Sequence, residues 1–166
     1  MDEPQRTAFG MAISGWNGKP RRASMQQPEE GRAAIGFLTT VASASHGVFG
    51  GYLLVDEVGR PLEFHCTAPV RVSRAQEILY GPTLYGELHG RRIGGSLVQA
   101  GNVKPRLVLV ESQQMMQLQE ETDLPVAVVD SEQPLRERFG DLLPEIDLRE
   151  PFERIREAIA EAQRHG

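Results

Sequence analysis

Between residues 35 and 81 the apolar positions fall into three short runs separated by small or polar residues. The run 35–41 is followed by a small polar linker at 42–47. Then come the run 48–55, a reversal over 56–61 and the run 62–67. The last two runs are bounded by Gly and Pro and carry β-branched or aromatic residues, which is a strand signature. The reversal, Asp-Glu-Val-Gly-Arg-Pro, puts Gly59 where a tight turn needs a positive φ. The pattern predicts an antiparallel three-strand meander. Ser73, with Gln76 three residues later, then forms a capping-box pattern, so a helix over 73–80 is expected, stopped by Gly81-Pro82.

The second half changes period. Leu84, Leu88, Ile93, Leu97 and Val98 keep rough helical spacing through 83–100, although Gly86, Gly90, Gly94 and Gly95 interrupt it. The continuous apolar run 106–110 reads as a strand buried on both faces. A short helix over 113–121, with Met115, Met116 and Leu118 on its apolar side, leads to a second buried strand at 124–129. Strand, helix, strand at this spacing makes a parallel, right-handed βαβ unit. Residues 134–143 read as a short acidic connector, partly helical. The stretch 149–165 is an amphipathic helix with Phe152, Ile155, Ile159 and Ala162 on one face. The expected fold class is α/β: a mixed five-stranded sheet built from the meander and the parallel unit, in one domain over 33–166. Residues 1–32, rich in Gly, Pro, Gln and charge, read as a flexible arm.

Composition narrows the function classes. The 166 residues are 40% hydrophobic and 25% charged, ordinary for a globular chain. A net charge of −5 argues against general coating of duplex nucleic acid, while leaving room for a local basic patch. The single cysteine, Cys66, permits no disulfide within the chain and no cysteine-based zinc site. That usage fits a reducing cytoplasm. No apolar run approaches the length needed to span a bilayer, and the N-terminus lacks the pattern of a signal peptide. A soluble, cytoplasmic protein without membrane partners is expected.

The element order, three strands, helix, strand, helix, strand, helix, resembles that of the ribonuclease H-like fold. Roadblock and longin-type modules, also built around a meander, fit the second half less well. The stretches GGYLLV, GRPLEFHCTAPV and RAQEILYGPTL together resemble an uncharacterised prokaryotic protein family in which the same three segments recur in that order. This resemblance spans about residues 35–129 and implies a shared fold rather than a chemistry.

The ribonuclease H-like resemblance implies a nuclease reading, in which carboxylates hold two divalent ions that clamp the attacking and leaving oxygens of a phosphodiester. Under it, magnesium or manganese is the cofactor. Glu111, at the end of the fourth strand, is the best catalytic candidate, with Glu63, Asp56 and Asp130 as substitutes if they converge. The first strand, however, contains no carboxylate where that fold carries an obligatory Asp. Glu63 and His65 alternate to one face of their strand and Phe64 and Cys66 to the other. Cys66 as a nucleophile would therefore need His46 or His89 as base, and the plainer reading is a small buried hydrophobe. The glycines after His46 lack the lysine and hydroxyl of a phosphate-binding loop.

One charge asymmetry remains. Arg71, Arg74, Arg91, Arg92, Lys104 and Arg106 face only Glu77 and Glu87 within 71–106. Arg71, Arg74, Arg91 and Arg92, with Tyr80 and Tyr85 able to stack on bases, form a candidate anion-binding segment. The plainer alternative is a solvated helix face with two partly buried tyrosines. The sequence thus favours a non-enzymatic binding or regulatory module whose basic helical segment contacts a protein partner or a polyanion such as RNA or DNA. A metal-dependent phosphodiesterase is the alternative.

Overall fold

The computed structural model describes residues 34–130 and 132–165; the arm expected over 1–32 lies outside the described residues. Five strands form one mixed sheet in the order β3-β2-β1-β4-β5. They are β1 (Ile35–Ser43), β2 (Gly47–Val55), β3 (Pro61–Cys66), β4 (Leu107–Val110) and β5 (Val126–Val128). The meander pairs antiparallel, β1 with β2 and β2 with β3, while β4 pairs parallel with both β1 and β5.

Strand ends differ from the expected ones for local reasons. The linker expected at 42–47 shrinks to a three-residue turn at 44–46, because Gly47 takes a φ of 111° and Ser43 Oγ accepts the His46 N–H at 3.2 Å, closing a tight tip. At the 56–61 turn, Asp56 Oδ1 accepts the N–H groups of Val58 and Arg60, and Gly59 has the required positive φ of 86°. β5 is shorter than its apolar run. Gln119 takes the Leu124 carbonyl with its side-chain amide at 2.7 Å and accepts from Val126 N–H at 3.1 Å, in place of a ladder partner.

Helical segments cover both faces. Among the described residues the α-helices are α1 (Arg74–Tyr80), α2 (Gly94–Ala100), α3 (Glu132–Phe139) and α4 (Glu150–His165). One face packs Ile35, Phe37, Leu107 and Leu109 against Phe152, Ile155 and Ile159 of α4. Phe37 and Phe152 meet edge to face with centroids 5.4 Å apart, a contact worth about 0.5–1.5 kcal/mol beyond its burial. The other face packs Leu38, Tyr52, Val108 and Val110 against Leu88, Ile93 and Leu97.

The stretch 83–100, expected as a helix broken by glycines, is helical with a widened π segment at Gly86–Ile93 running directly into α2. A π turn brings residues five apart onto one side, so Leu88 and Ile93 are both buried. Gly86, Gly90 and Gly94, spaced by four, bring this segment against the tight 3₁₀ turns Gln113–Glu120, which replace the helix expected there. A Cβ on Gly90 would lie 3.2 Å from the carbonyls of Gln114 and Met115. Gly50 and Gly51 do the same for the sheet. Ile93 and Leu97 press onto the first from one layer, Ile155 and Ile159 onto the second from the other.

Candidate functional site

Two short bridges fix where the chain leaves the sheet. Thr67 N–H donates to the Gly50 carbonyl and Thr67 Oγ1 accepts the Gly50 N–H, both at 3.0 Å. Val48 and Val70 then exchange backbone hydrogen bonds at 2.9 and 2.8 Å. From there Ser73 opens α1 with the full capping box that its spacing predicts: Ser73 Oγ accepts the Gln76 N–H and Gln76 Oε1 accepts the Ser73 N–H. Gly81, at a φ of 52°, ends it.

The helix so made is unusual in what it buries, which is nothing. Its apolar residues are nonetheless periodic: Ala75, Ile78 and Leu79 stand at i, i+3 and i+4, the spacing that ordinarily faces a core. Here Ile78 is 63% and Leu79 83% exposed, and Tyr80 and, past the turn, Tyr85 are each more than a third exposed. A periodic stripe turned outward, with aromatic neighbours, is the composition of a contact surface rather than of a solvated face.

Tyr85 continues into a small polar stack. Its ring lies on that of His89, centroids 3.9 Å apart and nearly parallel, and His89 Nδ1 is 2.6 Å from Thr40 Oγ1 on β1. Burial lowers the His89 pKa, which favours the neutral ring. The stack ties the end of the α1 surface to the sheet.

The basic residues named from the sequence do not act as one free patch. Arg91 is held by Glu87, Glu120 and Glu121 at 3.2, 3.6 and 2.8 Å. Two of these acids come from the 113–121 region, far along the chain, so the local count of charges missed them. Arg74 pairs with Glu77 at 3.0 Å, and Arg71 donates to the Ser45 carbonyl at 2.6 Å. Arg92 is exposed and lines an open polar depression of about 440 Å³ with Glu87, Arg91, Ser96, Gln99 and Glu121. Within α1 the Arg74–Glu77 pair is balanced, while Arg71 keeps its charge beside a neutral carbonyl.

The carboxylates named as candidate ligands are separated by the sheet. Glu63 points to the layer of Tyr52, where it is buried and accepts the N–H groups of Asn102 at 3.0 Å and Val103 at 2.9 Å, with His65 Nε2 at 2.8 Å. Glu111 points to the α4 layer. There it receives two guanidinium hydrogen bonds from Arg156, both 2.9 Å, and the Thr39 hydroxyl at 2.5 Å. Burial would raise the Glu111 carboxyl, but the bonds from Arg156 and Thr39 outweigh it and hold the pKa below the ordinary range. Asp130 is exposed just past β5, its carbonyl accepting from Arg149. Asp56 is spent on its own turn and on Arg60. Among the described residues no three His, Cys, Asp or Glu side chains are grouped to hold a metal ion. The residues present therefore do not fit the pair of ions a phosphodiesterase of this kind would need. Cys66 is buried, and burial pushes its thiol up to about 12, far from a reactive thiolate.

The α1 stripe has plain helical spacing, and Gly86, Gly90 and Gly94 recur every four residues. The Thr39–Glu111–Arg156 cluster joins residues 72 and 45 positions apart, with no local signal. Among the described residues no helix is long and apolar enough to cross a membrane. No family model matches the chain, and no curated protein is significantly similar to it.

Proposed function

We propose that the protein is a non-enzymatic binding module that docks a protein partner through α1 and the adjoining Tyr80 and Tyr85. The observation that carries this reading is the outward face of Ala75, Ile78 and Leu79 on a helix with no buried residue. Full burial of an exposed Leu or Ile is worth about 1.5–3 kcal/mol, so Ile78 and Leu79 alone supply a useful share of a docking free energy. A capped, pre-formed helix also spares the partner the cost of ordering it. The pairing of Arg74 and Arg91 with carboxylates supports a protein surface over a polyanion. The confinement of Glu63 and Glu111 to opposite faces, with Glu111 held by Arg156, weighs against the phosphodiesterase.

The test is cross-linking mass spectrometry on extract of cells that produce the protein, with the wild type beside Ile78→Asp/Leu79→Asp. Cross-links from residues 71–85 to a protein, lost in the double variant, are expected. Links that map elsewhere, or persist in the variant, would contradict the reading.

A further inference from the structure

We propose that the polar depression beside Arg92 binds a small zwitterion, a free amino acid, with Arg92 taking its carboxylate and Glu121 and Glu87 its ammonium group. The depression has a volume of about 440 Å³, within the range of small-molecule sites. None of its lining residues belongs to α1, so the site stands or falls apart from the docking reading.

The π segment brings opposite charges to one rim. Glu87 and Arg92 are five residues apart, a spacing that a π turn sets on one side and an ordinary α-helix spreads round its axis. Ser96 and Gln99 carry the same wall on into α2 and add hydrogen-bonding groups. Gly95, buried, lines the depression without a side chain. A Cβ there would stand 3.1 Å from Glu121 Cβ and 3.8 Å from Glu121 Oε1, so this carboxylate lies over the space that a side chain would fill.

Both signs of charge are left over. Arg91 gives Nε and Nη2 to Glu121 Oε2 and Nη1 to Glu87 Oε1. Glu121 Oε1 and Glu87 Oε2 then carry no hydrogen bond among the described residues. Glu120 lies 3.6 Å from the same guanidinium, so three carboxylates share one cation and the cluster keeps surplus negative charge. Arg92 has neither an ion pair nor a hydrogen bond among the described residues. With both acids held by Arg91, its planar fork is left for a carboxylate from outside. A ligand carrying both charges complements such a site. A simple anion would meet the carboxylates, and a simple cation would meet Arg92.

NMR titration of the isotope-labelled full chain with the standard amino acids, taken singly, reads this directly. At least one should give saturable amide shifts centred on 86–100 and 120–121. Its dissociation constant should be of roughly millimolar order, as two charge-assisted hydrogen bonds in an open site give. The same molecule lacking its ammonium group, or lacking its carboxylate, should bind about tenfold more weakly or worse. Arg92→Gln should weaken binding by a similar factor, and the exposed, unpaired position leaves the fold intact. Arg74→Gln, on α1, should leave binding unchanged. Absence of saturable shifts with every amino acid overturns the site. Equal binding of the molecules that lack one charge, or binding indifferent to Arg92→Gln, overturns the assignment of a zwitterion to it.

Discussion

His89 is the residue whose titration most directly reports on the Thr40–Tyr85 stack. Its pKa lies below the ordinary 6.5 because of burial. The unfolded chain therefore binds its proton first as pH falls, and stability rises with pH across the window just below 6.5. Glu111 acts in the same direction lower down: its depressed pKa gives stability that is present above the ordinary 4.5 and is lost as pH falls through the folded value. Urea unfolding between pH 7 and 5 should show the first decline, and His89→Gln should remove most of it. A flat profile in the wild type would contradict the stack. Glu111→Gln at neutral pH should cost about 1 kcal/mol, a modest loss because Arg156 still reaches solvent. Magnesium or manganese should leave the unfolding midpoint unchanged, since a ligand that binds the folded state must stabilise it. A metal-dependent rise would reopen the phosphodiesterase.

At the level of elements, the layers depend on glycines that admit side chains from both sides. A Cβ on Gly50 would stand 2.2 Å from Ile93 Cγ2, and one on Gly51 2.4 Å from Ile155 Cγ2. Alanine at either position should destabilise by about 1–3 kcal/mol through overpacking. Gly140→Ala, with open space around it and no positive φ, should be neutral or slightly stabilising. Equal effects at all three sites in chemical denaturation would refute the packing described. The meander, the capped α1, the parallel β4–β5 pair and α4 were legible because each is set by local periodicity and turn chemistry. The π segment and the 3₁₀ turns were not, because both arise from the close approach of Gly86 and Gly90 to residues 113–120. Periodicity alone does not display that contact.

For the molecule as a whole, the same division between local and long-range information decides which candidate residues keep their roles. The basic segment looked unbalanced because Glu120 and Glu121 lie some 30 residues from Arg91 and join it only when the chain folds. Glu63 and Glu111 looked like potential partners until the sheet put them on opposite sides. What survives is the stripe on α1, a core-like pattern placed outside the core. Its meaning turns on whether Ile78 and Leu79 stabilise the folded chain itself. The measurement is the urea unfolding free energy of Ile78→Asp/Leu79→Asp against the wild type, at protein concentrations low enough to dissociate any assembly. A docking face predicts a difference within about 0.5 kcal/mol, as for surface substitutions generally. A loss of about 2 kcal/mol or more would show that α1 is packed within its own chain, and would contradict the account.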